Sequence, residues 1–135
     1  MNKQQHIVLV DDDDIFNMLH GEVIKRLISD VKIDIFKSGS EVVDYMIQNP
    51  NEHIDILLLD IRMPVMGGFE VLDTMATMDP SRFEKTRVYV LSSTLDDRDL
   101  KRAKATPLVT EFIGKPMSID TMRLILAETD ATNSH

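Results

Sequence analysis

Five short apolar runs punctuate this chain, and each ends at a polar residue. His6-Ile7-Val8-Leu9-Val10 stops at four consecutive aspartates, Asp11 to Asp14. Val31, Ile33 and Ile35 alternate with Lys32 and Asp34, a period-two strand pattern. Ile54 to Leu59, broken only by Asp55, stops at Asp60; Val88 to Leu91 runs into Ser92; Glu111 to Ile113 leads to Gly114-Lys115-Pro116. Between these runs, apolar residues recur at helical spacing. The first helix is predicted from Ile15 to Ile28, with Ile15, Met18, Leu19, Val23 and Leu27 as its apolar side and Asp13 or Asp14 as its cap. A second is predicted from Glu41 to Gln48, with Val42, Val43, Met46 and Ile47 inward, after the turn Ser38-Gly39-Ser40. A third follows the Pro64 and Gly67-Gly68 loop and runs to about Met78, with Phe69, Val71, Leu72, Met75 and Met78 on its core side. Asp96 to Lys104 and Ser118 to Glu128 complete the set, Ser118 being a good cap, and the polar tail Thr129 to His135 is expected to fray.

Strict alternation of strand and helix implies a doubly wound α/β fold: a five-stranded parallel sheet with helices on both faces, joined by right-handed crossovers. In such sheets the functional crevice lies beyond the carboxyl ends of the strands. Asp11 and Asp12 follow the first strand, Asp60 the third, Ser92 the fourth and Lys115 the fifth; Lys37-Ser38 after the second is unremarkable. Three carboxylates, a hydroxyl and an ammonium are therefore expected at one sheet edge.

Crowded carboxylates resist ionisation, and a hard divalent cation relieves the repulsion. Magnesium takes one or two carboxylates together with phosphate oxygens and water. A carboxylate can also act as a nucleophile and form an acyl phosphate. A phosphoryl group in transfer spreads negative charge over its oxygens, which a metal, a lysine and a hydroxyl can stabilise.

The rest of the composition bounds the function. The 135 residues suit one domain, 6–128 being its expected core, with no internal repeat or linker. The absence of cysteine excludes disulfides, thiolate zinc sites and thiol catalysis. A net charge of −8 argues against direct nucleic-acid binding. No apolar run is long enough to span a bilayer and no signal peptide is evident at the N-terminus, so no membrane association and a cytoplasmic location are expected.

Val10-Asp11-Asp12, the segment Leu59-Asp60-Ile61-Arg62-Met63-Pro64-Val65-Met66-Gly67-Gly68, Leu91-Ser92-Ser93 and Lys115-Pro116 together resemble the receiver domain of two-component response regulators, chemotaxis-type single-domain regulators included. The likeness extends from about His6 to Glu128, and Asp-x-x-Met-Pro-x-x-x-Gly is its most specific element. It implies a flavodoxin-like (βα)5 fold with strand order 2-1-3-4-5. It also implies a phosphoacceptor role for Asp60, which would ligate Mg²⁺ as well, and direct Mg²⁺ ligation by Asp12. Asp11 would bind the metal directly or through water, and the backbone carbonyl of Arg62 would complete the protein ligands, with Mn²⁺ or another divalent cation able to substitute. Ser92 would hydrogen-bond a phosphoryl oxygen, Lys115 would pair with the group, and the bond to Pro116 would be cis. Phe112 stands where the family often has a switch tyrosine, and Ala105-Thr106-Pro107-Leu108 replaces a small turn.

The implied partners are a sensor histidine kinase or a histidine phosphotransfer protein as donor and an unidentified downstream protein, with the chain a monomer or weak homodimer. On this reading the protein is a signalling phosphoacceptor with slow self-dephosphorylation, not an enzyme. A haloacid-dehalogenase-type phosphohydrolase would need an acid/base Asp two residues after the nucleophile, where Arg62 stands. A degenerate receiver that only binds partners would lack site residues, and none is missing. Plainer readings suit other positions: Asp13 and Asp14 as helix-terminal charges, the nine methionines as core filler with Met18 and Met66 near the site, and His6, His20, His53 and His135 as structural or surface groups.

Overall fold

The structure, a computed structural model, describes residues 4–133, with side chains through Ala127. The order is β1 (Gln5–Val10), α1 (Asp14–Leu27), β2 (Val31–Phe36), α2 (Gly39–Gln48), β3 (Ile56–Asp60), α3 (Gly68–Met75), β4 (Arg87–Ser92), α4 (Asp97–Lys104), β5 (Glu111–Gly114) and α5 (Ile119–Asn133). The strands form one sheet in the order β2-β1-β3-β4-β5, and every pairing is parallel. This is the flavodoxin-like doubly wound fold. Among the described residues, no helix is long and apolar enough to cross a membrane.

β1 and β3 are buried on both faces, as their unbroken apolar runs require. Each face of the sheet carries its own core. One gathers Val8, Val10, Leu57, Leu59, Val88 and Val90 under Val42, Met46, Phe69 and Leu72 of α2 and α3. The other gathers Ile7, Leu9, Ile56, Leu58, Tyr89 and Leu91 under Ile24 of α1 and Met122, Ile125 and Leu126 of α5. The alternation along each strand assigns its residues to the two faces.

The caps read from sequence at Asp13 and Ser118 are present, and Ser38, read there as part of a turn, is a third at the start of α2. Asp13 closes the start of α1 by accepting from the Ile15 N–H, and Ser38 closes α2 by accepting from Glu41. Ser118 Oγ accepts from the Thr121 N–H at the start of α5.

The α1 face needs correction. Asn17, His20, Gly21 and Ile24 are its buried residues, whereas Ile15, Met18 and Leu19 are exposed. Helical periodicity is satisfied by either stripe. The sheet selects the one carrying Asn17, His20 and Gly21. Ile47 of α2 likewise faces outward, at 61% exposure. α3 stops at Met75, because Thr77 and Met78 hydrogen-bond three residues back and tighten the chain into turns. α5 extends through Asn133, and no Gly or Pro lies in 119–133 to end it earlier. Ser134 and His135 lie outside the described residues.

The tightest joint is between β3 and α3. A Cβ added at Gly68 would lie 2.7 Å from the Asp60 carbonyl oxygen and 2.9 Å from Ile61 Cα, both backbone atoms. A Cβ at Gly21 would meet only Leu9 Cδ1, at an ordinary 3.9 Å. Gly68→Ala is therefore expected to cost about 2–3 kcal/mol through forced backbone movement. Gly21→Ala, in a helix interior, is expected to be neutral or stabilising by about 0.5–1 kcal/mol. Urea unfolding of both variants checks the contrast.

Candidate functional site

The carboxyl ends of β1, β3 and β5 converge on one polar cluster. Asp11 follows β1, where its N–H donates to the Phe36 carbonyl and its Oδ1 accepts from the Asp13 N–H at 2.9 Å. Asp60 is the last residue of β3, and its Oδ1 lies 3.4 Å from the Arg62 backbone N–H. Lys115 follows β5 and is held there by donation from its backbone N–H to the Ser92 carbonyl, at 2.9 Å. The Lys115–Pro116 peptide bond is cis. The Lys115 ammonium reaches Asp11 Oδ2 at 2.9 Å and Asp60 Oδ1 at 3.4 Å. It also stands 4.2 Å from the centre of the Phe16 ring.

Asp11, Asp60 and Lys115 are almost wholly buried, while Asp12 is exposed at the rim. One oxygen from each of Asp11, Asp12 and Asp60 can lie within 4.8 Å of the others. Above them opens a cleft of about 570 Å³ whose walls include Asp12, Phe16, Asp60, Arg62, Ser93 and Lys115. These are hard oxygen donors with open access for water, the chemistry a small divalent cation prefers.

The electrostatics follow from this crowding. Burial, and then the Asp11 charge, push the Asp60 carboxyl up to about 6, against the opposing pull of Lys115 and the Arg62 N–H. Burial works to lower the Lys115 ammonium, but the Asp11 hydrogen bond and the charges of Asp60 and Asp11 outweigh it and leave Lys115 raised. Asp60 is thus a carboxylate held at an energetic cost, partly neutralised by one lysine, and ready to gain from a further cation.

The other residues named from sequence are placed as follows. Arg62 lies in the loop after β3, with its guanidinium on Asp99 of α4. In that loop the Met66 N–H donates to the Pro64 carbonyl across Val65, which has φ 67°. Ser92, buried at the end of β4, donates its hydroxyl to the Thr94 carbonyl at 2.6 Å. Its neighbour Ser93 lines the cleft instead. Phe112 is half-buried against the core beneath α2 and α3. Met18 is exposed, and Met66 packs on that same core. Asp14 pairs at the surface with Lys37.

Two further residues support the cluster: Asn17, which the sequence reading did not single out, and His20, which it placed only among the structural or surface groups. The Asn17 amide donates to the Asp11 carbonyl at 2.9 Å. His20 Nε2 accepts from the Met117 N–H at 3.1 Å, just beyond the cis-proline. Burial holds the His20 ring below its ordinary range, against the Asp11 charge, which suits a neutral acceptor. Together they tie α1 to the loops that carry Asp11 and Lys115. The available signal was a polar pair, three apart, on the helix stripe that also holds Gly21.

Comparison with known proteins agrees with the fold. The family model described as the response regulator receiver domain matches residues 7–127. A crystal structure of a two-component response regulator from Cytophaga hutchinsonii superposes with a TM-score of 0.85 at 27% identity, covering 95% of this chain and 98% of that one. Sporulation initiation phosphotransferase F of Bacillus subtilis is 27% identical over 119 residues, 88% of each chain. A cyclic di-GMP phosphodiesterase of Thermotoga maritima is 26% identical over 118 residues, and the match spans 87% of this chain but only 29% of that protein.

Proposed function

This chain belongs to the response regulator receiver domain family, phosphoacceptors of two-component signalling, and on that premise we propose that Asp60 accepts a phosphoryl group in a Mg²⁺-dependent phosphorelay. The observation that carries the proposal is the buried Asp60 carboxylate, with Lys115 at 3.4 Å and two further aspartates beside it.

An Asp60 carboxylate oxygen attacks the phosphorus of a phosphohistidine. The new O–P bond forms as the P–N bond breaks, and the imidazole leaves with the bonding electron pair. The donor is a sensor histidine kinase or a histidine phosphotransfer protein, a reading supported by the relative named as a phosphotransferase. Asp11, Asp12, Asp60 and the Arg62 carbonyl would hold Mg²⁺, or a substitute such as Mn²⁺, which when bound would neutralise charge on the carboxylates and phosphoryl oxygens. Lys115 orients the acceptor and pairs with the phosphoryl group. Ser92 rotates its hydroxyl away from Thr94 to donate to a phosphoryl oxygen, which frees the β4–α4 turn. Phe112 changes its packing in response and alters a partner-binding surface. The chain therefore works as a switch, with slow self-hydrolysis as its timer and not as turnover of a substrate.

Intact-mass spectrometry after incubation with acetyl phosphate and Mg²⁺ tests this. Wild type is expected to gain one phosphoryl group, while Asp60→Asn gains none, and EDTA abolishes the gain. Uptake by Asp60→Asn equal to wild type would place the acceptor elsewhere. No uptake by wild type from acetyl phosphate or from a phosphohistidine donor would sink the phosphoacceptor reading.

A further inference from the structure

The sheet has two edges of different character. β5 is four residues long and ends at Gly114, whereas β2 is six residues, Val31 to Phe36, with three β-branched side chains. Short edge strands resist further pairing and long ones invite it. The Asp11 N–H donates to the Phe36 carbonyl, so Phe36 turns its backbone groups toward β1. Backbone direction alternates along a strand. Asp34 and Lys32 therefore share the Phe36 direction, and Val31, Ile33 and Ile35 turn their N–H and C=O groups outward.

A second strand laid antiparallel against this edge must place outward residues opposite outward residues. If that strand is β2 of another copy, only a few two-fold registers are available. Centred on Ile33, the register pairs Val31 with Ile35, Ile33 with Ile33, and Lys32 with Asp34 on both sides of the axis. The charged pairs fall at the non-hydrogen-bonded positions, where Cα atoms approach to about 4.5 Å and side chains meet most closely. Moving the axis to residue 32 sets Lys32 against Lys32, and moving it to residue 34 sets Asp34 against Asp34. Like charges directly opposite are unfavourable and opposite charges favourable. A lysine on an edge strand ordinarily blocks pairing. Here Asp34, two residues on and on the same face, turns the block into a selector of one register.

The flank of this edge is also unfinished. A groove of about 490 Å³ runs between α1 and β2, with Met18, Gly21, Glu22, Lys25, Ile33 and Ile35 among its walls. Met18 is 58% exposed and Ile35 48% exposed. A two-fold at Ile33 brings two such grooves together on one face of the joined sheet.

We propose that β2 is a self-recognition edge, through which two copies of this chain join their sheets antiparallel about Ile33. Lys32 stays within 2.7 Å of Glu52 and Asp34 within 2.7 Å of His6, so both side chains are anchored before association. The joint lies at the far edge from β5, so Asp60 and Lys115 stay uncovered.

Sedimentation equilibrium across a concentration series tests the proposal by charge exchange. Wild type is expected to show a monomer–dimer equilibrium. Lys32→Asp and Asp34→Lys each place two like-charge pairs in the joint and are expected to weaken self-association about tenfold or more. An equimolar mixture of the two variants restores opposite pairs and is expected to associate as tightly as wild type, which requires both to be folded. Ile35→Glu, at an exposed position, is expected to weaken association without a partner that rescues it. A wild type that stays monomeric at every concentration overturns the proposal. So do single variants that associate like wild type, or a mixture no tighter than its components.

Discussion

Lys115→Met is expected to lower folding stability by about 3–5 kcal/mol at neutral pH in the presence of a chelator, the usual cost of stripping the counter-charge from a buried ionic group. The Lys115 side chain is 6% exposed and touches Asp11 and Asp60, themselves 5% and 2% exposed. Methionine keeps an unbranched stem of similar length against Phe16, so the change reads charge more than volume. Without the ammonium, two carboxylates face each other with no cation between them. Asp60, already pushed up to about 6, then holds its proton to still higher pH. The loss should therefore shrink in acid, where a neutral Asp60 needs no partner. Adding Asp60→Asn to Lys115→Met should return much of the stability, a coupling that a double-mutant cycle reads directly. Urea unfolding with and without Mg²⁺ is the measurement, and the cation should partly replace the lysine in the single variant. A loss under about 1 kcal/mol would mean that the ammonium is not the main counter-charge of the cluster.

Asp60→Asn is expected to act in the opposite direction. A carboxyl raised from 3.8 to about 6 binds its proton more tightly in the folded state than in the unfolded chain. The stability this group contributes is complete below the unfolded value and is lost as pH rises through about 6. Above that, keeping the carboxylate ionised costs about 3 kcal/mol, at about 1.4 kcal/mol for each factor of ten in proton affinity. The amide removes the cost. In chelator, the gain of Asp60→Asn over wild type should be near zero below about pH 4 and approach about 3 kcal/mol above about pH 7. Mg²⁺ should narrow the difference, because it stabilises the wild-type carboxylate more than the amide. A difference that stays flat from acid to neutral pH would contradict a raised Asp60. Asp60→Asn, which is expected to abolish phosphoryl uptake, is thus also expected to stabilise the fold at neutral pH.

Much of this molecule was legible in one dimension. The alternation of apolar runs with helical stretches determined five strands and five helices in the right order, because side-chain periodicity is a property of neighbouring residues. It also set Asp11, Asp12, Asp60, Ser92 and Lys115 at strand ends, and parallel connectivity brings such ends to one edge. The strand order came from the resemblance of the motifs and not from the spacing itself. Spacing also gave the core sides of α2 and α3 apart from Ile47 and Met78, but tertiary structure alone decided which stripe of α1 turns inward. On α1 the stripe of Ile15, Met18 and Leu19 looked like the buried one, yet Asn17, His20 and Gly21 face the sheet. The reason is that burial depends on the distance of approach and on unmet hydrogen bonds in distant segments, here the Asp11 carbonyl and the Met117 N–H. The same holds for the Ser92 hydroxyl, which a strand-end position locates but which the β4–α4 turn aims at Thr94. Lys115 meets Asp11 only because the folded sheet places β5 and β1 on either side of β3 and β4 with their ends level. Local patterning thus determined which chemical groups stand at the edge of the sheet, and long-range packing decided which of them touch.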